Sequence, residues 1–165
     1  MTGTAERSGA SLRLRTASSH DAEAIAALIN TAFSVEAFFI DGDRIDVRGV
    51  QELLAKGSFL LAEKESGRPV GCVYLEVNGP RGYFGLLSVD PDVQGAGVGR
   101  QLVAASEDHC RAAGCSVLGI RVVNLREVLP PFYRRLGYEV TGTEPFPEGK
   151  ETKLPCHFIL MSKAL

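Results

Sequence analysis

Tryptophan is absent from the chain, and only two methionines and three histidines occur among its 165 residues. His20, His109 and His157 stand far apart. The four cysteines, Cys72, Cys110, Cys115 and Cys156, include no Cys-x-x-Cys pair. A zinc pattern is therefore excluded, and no metal is expected. The thiols read as the reduced cysteines of a cytoplasmic protein. Cys156 and His157 are adjacent, but neighbours on a strand point to opposite faces, so they do not read as a nucleophile and its base. No excess of either charge sign exists: the formal net charge is -2. That argues against nucleic acid or an anionic membrane surface as the main partner. No apolar run approaches the roughly 18 residues that a membrane span needs. The first ten residues are small and polar, without the apolar stretch of a signal peptide. They read as a disordered tail, leaving 11–165 as a single domain.

What is present is glycine, eighteen residues of it, and its placement is informative. Tyr83 to Val89 is an apolar run bounded by Gly82 and by Asp90-Pro91, which reads as a buried strand. Pro91 cannot continue a ladder and holds Asp90 out of the helical region. Gly95, Gly97 and Gly99 then alternate just before an apolar-periodic segment. Strand, glycine loop and helix in succession make a ready phosphate site, because the first amides of a helix lack intrahelical partners and the helix dipole adds to them. The loop is not the G-x-G-x-x-G dinucleotide fingerprint, and no Lys-Ser or Lys-Thr closes it as in a P-loop.

The remaining chain alternates strands and helices. Leu12 to Thr16 reads as a strand, and Ser18 with Asp21 as a capping box. Ala22, Ile25, Ala26, Ile29 and Phe33 mark one helix face. An irregular segment, Ser34 to Asp46, leads to a short helix carrying Val50, Leu53 and Leu54, with Gly57 as its cap. Ser58 to Glu65 and Pro69 to Val77 read as a hairpin. After the glycine loop, Val98, Leu102, Val103, Ser106 and Cys110 mark a long helix ending at Gly114. Val117 to Val123 is a strand. Leu125 to Leu136 reads as a helix whose start is obscured by Pro130-Pro131. Tyr138 to Thr143 and Phe158 to Ser162 are the last strands. The expected fold class is α/β (α+β), with a mixed, mostly antiparallel sheet of about seven strands flanked by about four helices.

Gln94-Gly95-Ala96-Gly97-Val98-Gly99 resembles Q/R-x-x-G-x-G/A, the pyrophosphate loop of the GNAT superfamily of acyl-CoA-dependent N-acetyltransferases. Phe132-Tyr133-Arg134-Arg135-Leu136-Gly137-Tyr138 resembles the F/L-Y-x-x-x-G-F/Y segment of the same superfamily, and the element order is similar to that of the GNAT fold. The resemblance implies acetyl-CoA as co-substrate, no metal, and direct attack by an amine without an acyl-enzyme. It implies that Leu87, Ser88 and Val89 meet the pantetheine arm, with the Leu87 amide at the developing oxyanion. Gln94, Gly95, Ala96, Gly97, Val98, Gly99 and Arg100 would form the pyrophosphate loop. Tyr133 matches the acid that protonates the departing thiolate; a phenol of pKa about 10 suits a thiol of about 8.5.

Two departures stand. Arg126 occupies a slot where many relatives carry an asparagine against the pantetheine, so it reads either as a cofactor contact or as a surface ion pair. Tyr83 occupies the slot of a glutamate base in some relatives, which leaves a held water, Glu76 or His157 as candidates. The acceptor region would lie between Glu36–Asp46, acidic with Phe38 and Phe39, and the last hairpin with Glu144, Phe146 and Glu148. Acidic groups beside aromatics suit a small cationic amine. A non-catalytic acyl-CoA sensor and a protein or peptide amine acetyltransferase are the alternatives. A homodimer through edge strands, common among relatives, is compatible with the chain.

Overall fold

The computed structural model describes residues 12–165; the expected amino-terminal tail lies outside the described residues. Seven strands form one sheet: β1 (Arg13–Thr16), β2 (Ser58–Glu63), β3 (Pro69–Asn78), β4 (Arg81–Val89), β5 (Val117–Val123), β6 (Glu139–Pro145) and β7 (His157–Ala164). Four helices flank it: α1 (Ala22–Phe33), α2 (Val47–Lys56), α3 (Val98–Ala112) and α4 (Leu129–Arg135). The strand order is β1-β2-β3-β4-β5-β7-β6. Only β4 and β5 run parallel; every other neighbouring pair is antiparallel. The expected α/β class and mixed sheet are observed.

Strand alternation sends side chains to two cores. On β2, Leu60 and Ala62 join α3 residues Val98, Leu102 and Val103 on one face. Phe59 and Leu61 join α1 residues Ile25 and Ile29 and α2 residue Val50 on the other. The Ser18–Asp21 capping box forms: the Ser18 amide donates to Asp21 Oδ2 at 2.7 Å, and the His20 amide donates to Ser18 Oγ at 3.3 Å. Arg15 clamps Asp21 at 2.7 Å and also pairs with buried Glu63, tying β1 to β2 and to the start of α1.

Most boundaries move by a residue or two, with β4 starting at Arg81 so that Gly82 lies inside it, and one moves further. The helix read from Leu125 starts at Leu129 instead. Pro130 and Pro131 then fall in its first turn, where a residue without an amide donor costs nothing. Residues 124–128 become turns, with the Arg126 amide bonded to Val123 O and the Leu129 amide to Arg126 O, each at 3.0 Å.

Candidate active site

Strands β4 and β5 pair over three residues only, Arg81 to Tyr83 against Val117 to Gly119. Beyond them β4 follows β3, β5 follows β7, and the two diverge. The divergence coincides with a bulge. Between the pairs Tyr74↔Gly85 and Cys72↔Ser88, β4 carries one residue more than β3. Leu86 absorbs it with φ of 54°, the sole positive value on a non-glycine residue among the described residues. The Ser88 hydroxyl donates to Leu86 O at 2.9 Å and pins the bulge. Ser88 thus braces the bulge, and its side chain is buried. The Asp90 amide bonds Val70 O on β3 at 2.8 Å. By ladder alternation the Val89 amide faces the opposite edge, where β5 has moved away; Leu87 lies within the bulge itself.

The glycine loop follows directly. Asp90 caps a single turn, Pro91–Val93, by accepting from the Asp92 amide at 2.9 Å. Gly95 and Gly97 have φ of 87° and 82°, which a side chain would resist. Gly99 is different: a Cβ there would sit at ordinary contact, 3.7 Å from Val89 and 3.9 Å from Phe132. The Gln94 side-chain amide donates to Val89 O at 3.4 Å and ties the loop to the strand end. The Ala96 amide is taken by Val93 O. The first intrahelical bond of α3 runs from the Gln101 amide to Gly97 O, so the amides of Val98, Gly99 and Arg100 point out of the helix end unpaired. The Val98 side chain itself is buried in the core.

Tyr133 on α4 is 6% exposed and packs among Phe84, Phe132 and Tyr138, with ring centroids 5.0 to 5.9 Å away. Its hydroxyl makes no hydrogen bond within the described residues, yet no fully buried side-chain polar atom there lacks a partner. The hydroxyl therefore reaches the accessible edge of the core. Burial pushes its pKa above the ordinary tyrosine range, opposed by the charge of Arg126. Arg126 pairs through Nη1 with Glu36 Oε2 at 3.2 Å, and Glu36 is 6% exposed. Arg126 thus makes an ion pair, and that pair is largely buried rather than superficial. Burial raises the Glu36 pKa, while Arg126, Arg44 and Lys150 act to lower it.

Register places a polar cluster on the sheet face that α1 and α2 cover. Glu76 pairs with Tyr83, Tyr83 with Gly119, and Glu144 with Phe158, so these share one face with Arg121. The Tyr74 hydroxyl donates to Glu76 Oε2 at 2.9 Å. Arg121 lies between the rings of Tyr83 (5.2 Å) and Phe158 (5.4 Å) and 3.7 Å from Glu144. Phe146 stacks near Phe158 at 5.1 Å. His157 falls on the opposite face and is exposed, with its amide on Asn124 Oδ1. The structure thus brings Glu76, not His157, to the side of Tyr83.

The two expected acceptor segments do meet. Lys153 binds Phe39 O through its amide at 2.7 Å, and Ala37 O and Asp41 through Nζ at 2.9 and 2.8 Å. Asn30 on α1 braces the first segment by two bonds to the Ile45 backbone. The charge expectation changes, however. Glu36 is occupied by Arg126 and Asp41 by Lys153, and the face of Phe33 is covered by Arg44 at 5.6 Å. Phe39 is fully buried, leaving Phe38 as the exposed ring. The acidic, aromatic segment has thus met its cations within the chain.

The family model for the acetyltransferase (GNAT) domain matches residues 55–140, just over half of the chain. The chain belongs to the GNAT family. It is similar to mycothiol acetyltransferase of Propionibacterium freudenreichii subsp. shermanii, 34% identical over 59% of this chain and 32% of that protein. The mycothiol acetyltransferase of Saccharomonospora viridis is 30% identical over 81% of this chain and 47% of that protein. The chain therefore spans half or less of the length of these relatives. Among solved structures, ribosomal-protein-alanine N-acetyltransferase from Brucella melitensis superposes with a TM-score of 0.75 at 22% identity, covering 93% of this chain and 99% of that one. Nourseothricin acetyltransferase gives 0.73 at 22% identity, with 93% and 98% covered. These likenesses establish the fold.

Within this GNAT domain, three features had no local sequence signal. The bulge falls on a leucine, a residue type that seldom adopts positive φ. The Glu36–Arg126 pair joins positions ninety residues apart. Arg121 could be found only through the register of β5 against β7.

Proposed function

We propose that this GNAT domain transfers an acetyl group from acetyl-CoA to a primary amine by direct attack in a ternary complex. The observation that carries the reading is the parting of β4 from β5 after three residue pairs, with a bulge on β4, a glycine loop at its end and Tyr133 packed on its Phe84. The pantetheine arm would add to β4 as a short strand through Leu87 and Val89. The pyrophosphate would lie on the amides of Val98, Gly99 and Arg100, with Gly95, Gly97 and Gln94 shaping the loop. The amine lone pair attacks the thioester carbonyl, and the Leu87 amide stabilises the oxyanion. Collapse breaks the carbon–sulfur bond, and Tyr133 donates its proton to the CoA thiolate. The phenol is protonated at neutral pH; burial makes its proton harder to release, and the charge of Arg126 acts in the opposite sense. The ammonium proton leaves through a water held by Glu76, the carboxylate that stands opposite Tyr83.

The mycothiol acetyltransferase name of two relatives supports a small-molecule amine as acceptor. The test is thiol release from acetyl-CoA across a panel of amines, beside Tyr133→Phe. Turnover that falls about 100-fold or more in the variant supports the acid role. Tight binding of acetyl-CoA with no amine or peptide acetylated would instead favour a non-catalytic sensor.

A further inference from the structure

Two cations face one small cavity, and neither has an anionic partner among the described residues. The cavity has a volume of about 100 Å³ and lies between the end of α1 and the segment that follows it, with Lys150 from the last hairpin at its rim. That is space for a carboxylate and a few further atoms, at about 30 Å³ for each water-sized group. Arg44 and Lys150 both line it, and neither makes an ion pair or hydrogen bond within the described residues. Arg44 is held by its stacking on Phe33, which fixes its guanidinium at the cavity. Of the three carboxylates in the lining, Glu36 is committed to Arg126 and Asp41 to Lys153. Asp43 alone remains against the two cations. The charge of Arg44 is felt at Lys150, and the charges of both at Glu36, so the groups converge. Glu36 lines this cavity and pairs with Arg126, whose charge is felt at Tyr133.

We propose that this cavity binds the carboxylate of a zwitterionic acceptor, an amino acid or a close analogue, between Arg44 and Lys150. The inference rests on the acetyl-transfer reading for the amine and on the cavity alone for the anion. It replaces a small cationic acceptor with a zwitterionic one. A guanidinium can take a carboxylate in a two-point fork, and an ammonium beside it adds a charge without fixed geometry. A simple polyamine would place positive charge against Arg44 and Lys150 with one free carboxylate to offset it.

The experiment compares L-amino acids with their carboxamides and with the corresponding amines lacking the carboxylate, in the acetyl-CoA thiol-release assay. The acids are expected to show at least tenfold higher kcat/KM, expressed mainly in KM. Arg44→Gln and Lys150→Gln should bring the ratio of acid to amide near one, while Arg44→Lys retains part of it. Amides and simple amines acetylated as well as the acids would overturn the proposal and leave acetyl transfer standing. If no acceptor is turned over, titration of N-acetyl-L-amino acids and their carboxamides into the CoA-saturated protein decides the anion site separately. Acid-selective binding that Arg44→Gln abolishes supports it, and equal or absent binding overturns it.

Discussion

Arg126→Met isolates the largest electrostatic commitment near the cleft. Glu36 is buried, with 8% of its side chain exposed, and Arg126 retains 21%. Removing one partner of a buried pair costs roughly 3–5 kcal/mol when the remaining charge is fully enclosed. Here some water access remains, and Arg44 and Lys150 also act on Glu36. The expected cost is therefore about 2 kcal/mol at neutral pH, or about 4–8 °C in Tm for a domain of this size. The pH dependence carries the sharper test. Burial already raises the Glu36 pKa, and Arg126 is the first influence opposing it. In the variant the folded state holds the Glu36 proton more tightly still than the unfolded chain does. Stability then falls as pH rises from the ordinary carboxylate range through the raised value. Thermal melts at pH 5 and pH 7.5 should show a smaller deficit at the lower pH. Glu36→Gln combined with Arg126→Met should recover much of the loss, since no charge is then left buried. An equal deficit at both pH values, or a double variant no better than the single one, would refute the assignment.

Gly97→Ala should weaken acetyl-CoA binding at least tenfold in a calorimetric titration, because φ of 82° is costly with a side chain, whereas Gly99→Ala should leave the melting temperature within about 2 °C. Thiol titration of the native protein should show one fast group, partly exposed Cys156. Burial pushes the Cys72 thiol up to about 12 and the Cys110 thiol up to about 11, and Cys115 is also buried. Cys156→Ser should abolish the fast phase. The hydrogen bonds from Arg15 hold the Asp21 carboxyl down to about 2. Its contribution is present above the ordinary carboxylate pKa and lost as pH falls toward 2. Asp21→Asn should cost roughly 2 kcal/mol in urea melts at pH 7 and little near pH 2.

The glycine loop and α3 were legible because their signals are local. Gly95 and Gly97 are needed for their torsions, and the apolar spacing from Val98 to Cys110 sets the helix face. The start of α4 was obscure because apolar spacing says nothing about which turn can accommodate two prolines. The parting of β4 and β5 was not legible at all, since Leu86 adopts positive φ under tertiary constraint rather than by preference. Arg44 and Lys150 look like ordinary solvated charges in sequence; only the folding of residues 34–46 back toward α1 brings them to one cavity. The acidic character of that segment was legible, but not that Arg126 and Lys153, from distant elements, would neutralise it.

The insertion of β7 between β5 and β6 has a consequence for synthesis on the ribosome. β5 is made some forty residues before the strand that holds it along its whole length. Until residues 157–164 emerge, its strand pairing is limited to three residue pairs with β4, and β6 has no strand beside it. The amino-terminal sheet, β1 to β4, can close on itself early through antiparallel neighbours. The second wall of the cleft cannot. The nascent chain therefore carries a glycine loop and a bulged strand well before it carries a binding cleft, and β7, the strand of this sheet translated last, is the one that completes it.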